Sequence, residues 1–252
     1  MRVVIVGAGN VATVLGRLIK KAGHDVLQVI SRDATNAGIL GTELDCAFAD
    51  NSGVIDKTAD LYLIAVTDSA MSQLDENYHL GNKLVVHTAG SVSKEVLKNI
   101  TNNYGVLYPL QSLRKQNKKL EQDIPLLIDA NNVEALTLLQ DFARTISGSV
   151  NVANDELRLK IHVAAVLVSN FTNHLYALAA EYCSKEGADF KLLLPLIEET
   201  ALRLRDHVPG EMRTGPAVRK DITTLQKHLG LLARYPAIQN IYLKMTDSIM
   251  NP

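Results

Sequence analysis

The segment Val3-Val4-Ile5-Val6-Gly7-Ala8-Gly9-Asn10-Val11-Ala12 narrows the possible folds more than any other part of the chain. Its β-branched run has no polar alternation, as expected for a strand covered on both faces. The run leads into two glycines and then into Val11–Ala22, where Val11, Leu15, Leu18, Ile19 and Ala22 share one helical face. Strand, tight turn and helix in that order open a right-handed βαβ unit. Gly7 permits the turn, Gly9 lets phosphates approach the backbone, and Ala12 lets helix pack closely on strand. The helix front offers unpaired N–H groups and partial positive charge. Gly7, Ala8, Gly9, Asn10, Val11 and Ala12 therefore form a candidate diphosphate cradle.

The rest of the first half keeps this rhythm. Apolar runs recur at Val26–Ile30, Leu61–Val66, Leu84–His87, Val106–Tyr108 and Pro125–Ile128, with helical patterns between them. Alternation of this kind predicts an α/β Rossmann domain with a doubly wound, mostly parallel sheet. From about Asn154 the strand signal stops, and helices are expected over 154–186, 189–206, 216–235 and 237–250. Breaks fall at Gly187, Pro209–Gly210 and Pro236, and Pro216 suits a first helical turn. The predicted division is a dinucleotide-binding domain over 1–153 and an all-helical domain over 154–252. Ile161–Ala180 is apolar on nearly every side yet holds His162, Ser169, Asn170, Thr172, Asn173 and His174. That is too polar for a lone membrane span and is read as a buried helix. One subunit has too few helices to cover it, so a homodimer through the helical domain is expected.

With 252 residues and a net charge of −1, the chain lacks a global basic field for nucleic acid or an anionic membrane. Its nearest charge run, Arg114–Lys119, is broken by Gln and Asn and reads as a solvated loop. Cys46 and Cys183 make neither a disulfide framework nor a metal site. The chain begins directly on a strand with no secretory pattern. A soluble cytoplasmic protein with a small-molecule substrate is expected.

Cofactor choice turns on the end of the second strand. An acidic residue there accepts the ribose hydroxyls of NAD. Here Ser31-Arg32 stands in that place, suited to adenine stacking and to a 2′-phosphate, which favours NADP over NAD. Asp33, one step later, leaves open the alternative that it binds ribose. Ala65, Val66 and Thr67 close the fourth strand and Thr88 and Ala89 the next, where open α/β sheets bind ligands.

With these motifs assembled, the chain resembles the group containing pyrroline-5-carboxylate reductase, the β-hydroxyacid dehydrogenases and 6-phosphogluconate dehydrogenase. The resemblance rests on Gly7–Ala12, Ser31-Arg32, Leu61–Asp68 and Thr88-Ala89-Gly90-Ser91, followed by an all-helical domain. His162-Val163-Ala164-Ala165 through Asn170, and Gly215-Pro216-Ala217-Val218-Arg219-Lys220-Asp221, are more similar still to a bacterial family. Its members pair a Rossmann-like domain with a helical domain of unassigned function and are labelled NADP oxidoreductases, some deazaflavin-dependent. There are departures. Tyr108-Pro109-Leu110 replaces the Met-Pro-Asn of pyrroline-5-carboxylate reductases, and Thr214–Arg219 replaces their Ser-Pro-Gly-Gly-Thr-Thr turn. His162 stands where β-hydroxyacid dehydrogenases carry lysine. The resemblance thus implies fold and cofactor but none of those substrates.

Reduction of a carbonyl needs a proton donor beside the receiving oxygen. On a helix turning about 100° per residue, His162, Ser169 and Asn173 point within roughly 40° of one another, with Asn170 alongside and Lys160 opposite. His162 is the candidate general acid, Asn170 and Asn173 candidate substrate contacts, and Arg219 a candidate anion clamp. His87 is the alternative donor. Satisfied buried polar groups would look the same in sequence. Asp221 and His228, two turns apart, read as a structural pair. Three readings follow: an NADP-dependent oxidoreductase acting in an interdomain cleft, a non-catalytic NADP-binding regulator, and an NADP:deazaflavin oxidoreductase.

Overall fold

Strand β1 (Arg2–Val6) pairs in parallel with β2 (Asp25–Ile30) on one side and with β4 (Leu61–Ile64) on the other. In the computed structural model, which describes residues 1–71, 74, 78–117 and 123–251, these strands centre an eight-stranded sheet. Its order is β3-β2-β1-β4-β5-β6-β7-β8, with β3 Ala47–Ala49, β5 Leu84–His87, β6 Asn103–Pro109, β7 Leu126–Ala130 and β8 Val150–Val152. Neighbours are parallel except β6 and β7. The chain leaves β1 in one direction to β2 and returns on its other side at β4. That reversal creates the crevice in which such sheets hold ligands.

Both faces of the sheet are covered, which is why the strands read as unbroken apolar runs. Val3 and Ile5 pack with α1 (Asn10–Lys21), α2 (Ala34–Leu44) and α4 (Val133–Ile146), while Val4 and Val6 pack with Tyr62, Ile64, Val85 and Leu97. Leu15 and Ile19 of α1 are fully buried, worth roughly 1.5–3 kcal/mol each. A short helix, α3 (Asp68–Met71), follows β4.

Two compact units emerge, Met1–Asn170 and Phe171–Pro252. The division falls inside the long helical stretch and not at its start, because α5 (Asp155–Ala165) is anchored to the sheet unit. Arg158, 1% exposed, donates from Nη2 to the Val92 carbonyl and to Asp155 Oδ1 (2.8 Å). Asp155 also accepts from Ser93 Oγ at 2.5 Å. A π-helical turn, Val166–Phe171, follows α5.

The second unit holds α6 (Thr172–Lys185), a 3-10 turn (Phe190–Leu193), α7 (Leu194–Leu202), α8 (Ile222–Leu232) and α9 (Pro236–Met250). Two expectations are corrected here. Residues 216–221 precede the helix, since Lys220 takes φ +54° and the Asp221 carboxylate caps α8 through Thr224 N–H. Pro216 is therefore not in a first helical turn, whereas Pro236 does stand at a helix boundary, as the first residue of α9. His228 bonds the Tyr242 hydroxyl (2.8 Å) and not Asp221.

Within one chain the long helix is largely uncovered. Over Asp155–Lys185 only Arg158 is buried, and Val163, Leu167, Val168 and Phe171 are each more than half exposed. By length and composition this stretch could cross a membrane. Among the described residues of the second unit, the buried apolar side chains are Ala217, Leu225 and Leu232. So small a core gives a segment this size little stability of its own.

Two strands escaped prediction. β3 and β8 have three residues each, and Phe48 and Val152 are about half exposed, so neither carries a buried-strand pattern. Of the Arg114–Lys119 loop, Lys118 and Lys119 lie outside the described residues.

Candidate functional site

A cavity of about 550 Å³ opens at the carboxyl ends of β1, β2 and β4. Gly7, Ala8 and Gly9 line it from the first turn, Ser31 and Arg32 from the end of β2, and Ala65, Val66 and Thr67 from the loop after β4. Asn51, Ala70 and Tyr78 complete it and carry no motif that the sequence would have flagged.

The glycines have separable roles. Gly7 adopts φ +123°, and a Cβ there would sit 2.2 Å from the Ala65 carbonyl oxygen. Its necessity comes from the close approach of the loop after β4. Gly9 has nothing within 4 Å of a notional Cβ, so the space above it is open. Gly9 is also the N-cap of α1, without a capping side chain and with no acidic residue in the first turn. The helix front therefore presents N–H groups and positive potential to the cavity, a good match to a diphosphate.

Five expected cofactor residues sit outside this lining. Ala12 is fully buried and Val11 packs on the core, as helix-on-sheet contacts. Asn10 accepts from Lys115 N–H at 3.0 Å through its side-chain oxygen. Thr88 and Ala89 are buried at the end of β5, where Thr88 N–H donates to Ile64 O (3.1 Å) and Ala89 N–H to His87 Nδ1 (3.2 Å).

At the ribose end, Asp33 caps α2. Its carboxylate accepts from Asn36 N–H (3.0 Å) and Asn36 Nδ2 (2.5 Å). The Asn36 amide bond, with Lys115 contributing further on, holds this carboxyl below its ordinary range. Arg32 and Ser31 remain as the polar side chains of β2's end that line the cavity.

Beyond Thr67 lies a second cluster. Ser91 Oγ donates to Asp68 Oδ2 at 2.5 Å, linking the loops after β4 and β5. Next to Ser91, Gly90 leaves room for a ring pair. The Tyr108 hydroxyl, near the end of β6, lies 2.9 Å from His162 Nδ1 on α5, and the two rings meet edge to face. A Cβ on Gly90 would fall 2.7 Å from His162 Nδ1 and 3.0 Å from Tyr108 Cε2. Burial, then the Asp68 carboxylate, pushes the Tyr108 phenol up, so it stays protonated at neutral pH.

His87 is fully buried, and burial followed by the nearby Arg158 cation drives its pKa down to about 4. Asn170 is exposed at the end of the first unit, and Asn173 and Arg219 are exposed in the second. The stripe joining His162, Ser169 and Asn173 assumed a constant turn per residue, and Val166–Phe171 breaks it by winding as a π-helix. No local sequence signal singles out Tyr108, Asp68 and Ser91, since they come from β6, the start of α3 and the loop after β5, and meet His162 of α5 only in the fold.

Fold and cavity together define a Rossmann-like protein with a helical C-terminal region. Residues 1–111 match the Rossmann-like domain family, and residues 124–249 match the domain of unknown function DUF2520. The chain belongs to the DUF2520 family. It is similar along its entire length to a Bacteroides fragilis protein provisionally named an NADP oxidoreductase, at 36% identity and TM-score 0.92, covering 98% of that chain. Its fold is also that of a pyrroline-5-carboxylate reductase from Streptococcus pyogenes (13% identity, TM-score 0.68, 98% of both chains). An imine reductase from Myxococcus stipitatus in complex with NADP+ shares it too (16% identity, TM-score 0.65, 99% of this chain and 92% of the other). No curated protein matches the sequence.

Proposed function

We propose that this chain is an NADP-dependent oxidoreductase that moves a hydride to or from a small polar metabolite. The observation that carries the reading is the uncapped front of α1 over the cavity lined by Gly7–Gly9, Ser31-Arg32 and Ala65–Thr67. The α1 amides hold the diphosphate, and Ser31 and Arg32 take the 2′-phosphate. Asp33, engaged as a helix cap, is a poor acceptor for ribose hydroxyls, which favours NADP over NAD. The names of the Bacteroides fragilis and Myxococcus stipitatus proteins support the same cofactor.

When bound, the nicotinamide supplies or accepts the hydride. His162 handles the accompanying proton. In this reading its Nδ1–H donates to the Tyr108 oxygen in both protonation states, so Nε2 is left to load and release the proton. Tyr108 orients the ring, and Asn170, Asn173 and Arg219 are assigned to the substrate's polar groups. His87, sealed and neutral, is less suited to donate than His162.

The apolar exposure of the helical residues supports a homodimer, with a second copy covering α6 and its neighbours. A cytoplasmic setting without membrane or nucleic acid is part of the same reading, favoured by the polar residues His162, Asn170, Asn173 and His174 within the apolar stretch and by the net charge of −1. Residues 1–153 then serve the cofactor, and residues 154–252 the substrate and subunit contact.

The test is NADPH oxidation across a panel of carbonyl, imine and deazaflavin acceptors, with Arg32→Ala and His162→Ala alongside. Turnover that is lost in His162→Ala, and a selective loss of NADPH affinity in Arg32→Ala, are expected. Tight NADPH binding without turnover of any acceptor would identify a regulator, and turnover of deazaflavin alone would identify the redox-coupling enzyme.

A further inference from the structure

We propose that Lys115 is a second cation of the 2′-phosphate subsite and helps to select NADPH over NADH; this rests on the cofactor reading above. In sequence Lys115 belongs to a charge run that looks like solvated loop. In the structure all its polar groups near the two helices are engaged. Its backbone N–H donates to Asn10 Oδ1 (3.0 Å) at the first turn of α1. Its carbonyl accepts from Arg17 Nη1 (2.8 Å), itself paired with Glu43 at 2.6 Å. Leu113, two residues earlier, packs on the buried core. The loop is thereby held against α1 and the first turn of α2, the helices that follow the diphosphate turn and the end of β2, with Lys115 itself outside the residues that line the cavity.

The side chain follows. Lys115 Nζ donates to Asn36 Oδ1 (3.3 Å) in the first turn of α2, the residue whose amide bonds Asp33. Holding a half-buried lysine this way costs rotamer freedom. Such a cost is offset where the charge has a task. Asp33 alone at this end would repel a phosphate dianion. Arg32, Lys115 and Asp33 together leave one net positive charge beside Ser31, and an ammonium has three N–H groups, of which Asn36 takes one. A compact point charge from an opposing loop complements the planar fork of Arg32.

Equilibrium binding of NADPH, NADH and adenosine 2′,5′-bisphosphate to wild type, Lys115→Ala and Lys115→Arg tests this. Lys115→Ala is expected to weaken NADPH and the bisphosphate about tenfold, as for one charge-assisted hydrogen bond, with NADH changed less than about twofold. Lys115→Arg should recover most of the loss, and added salt should narrow the gap between wild type and Lys115→Ala. The backbone bonds to Asn10 and Arg17 survive both substitutions, so the loop stays anchored. Equal weakening of both coenzymes, or none, would overturn the assignment of Lys115 while leaving the NADP reading standing. A wild-type protein that binds NADH as tightly as NADPH would overturn the cofactor reading itself, and the lysine's role with it.

Discussion

The Tyr108 hydroxyl and His162 Nδ1 stand 2.9 Å apart, over a glycine whose missing side chain makes room for both rings. One residue comes from the end of a strand and the other from a helix 54 positions later. Gly90→Ala places a methyl group 2.7 Å from Nδ1, so one ring must leave. Gly90 lacks a left-handed backbone, and the fold should survive. Gly90→Ala and Tyr108→Phe are both expected to move the NMR resonances of the His162 ring protons, which sit edge to face with the Tyr108 ring. With an acceptor in hand, Gly90→Ala should lower kcat by roughly a hundredfold, the scale set by a misplacement of about 1 Å. Ring-proton resonances identical to wild type in both variants would contradict the contact.

Gly7→Ala should be more damaging. The new Cβ would approach the Ala65 carbonyl oxygen to 2.2 Å at φ +123°, and backbone cannot swing aside as a side chain can. A loss of about 2–4 kcal/mol is expected from clash and strain combined. Urea unfolding measures it, and the unfolding slope should stay near wild type. Gly9→Ala meets nothing within 4 Å, so its stability should change by less than about 1 kcal/mol while dinucleotide affinity falls.

Acid should destabilise the first unit through His87. Its pKa is about 4 in the fold against 6.5 for a free side chain, chiefly because burial penalises the charged ring. Between these values the unfolded chain binds a proton that the folded chain refuses, so stability falls as pH drops from about 6.5 to about 4 and levels off below. The full effect is on the order of 3 kcal/mol. Unfolding free energies measured across this window should lose most of that slope in His87→Gln. An unchanged slope would show that other groups set the acid response.

How much of this could be read in the sequence depends on how local each signal is. Val3–Ala12 announced strand, turn and helix because period, glycine spacing and burial agree within one short segment. Ser31-Arg32 and Ala65–Thr67 followed from their places at strand ends, and they do meet in one cavity. Asn10, Thr88 and Ala89 did not join it, because side-chain direction at a turn depends on what the neighbouring loops bond. Asn10 is taken by Lys115, which lies 105 residues away. The π turn at Val166–Phe171 and the late start of α8 after Asp221 escaped for a related reason. Apolar periodicity registers which residues are greasy but not the local winding of the backbone.

The exposed helical surface predicts concentration-dependent behaviour. Val163, Leu167, Val168 and Phe171 each leave more than half their surface uncovered, and a second copy is the proposed cover. Sedimentation velocity should report a dimer at micromolar concentration, and the thermal midpoint should rise with protein concentration. Val168→Glu with Phe171→Glu should yield monomers of reduced stability. A wild-type monomer at all concentrations would contradict the dimer.

The central claim is that the front of α1, bare of any capping side chain, grips the diphosphate of a nicotinamide dinucleotide. Calorimetric titration of purified protein with NADPH and with NADH tests it most directly. Saturable binding at one NADPH per chain, tighter than NADH and weakened when salt is added, is the predicted result. No measurable heat or affinity with either coenzyme would contradict it.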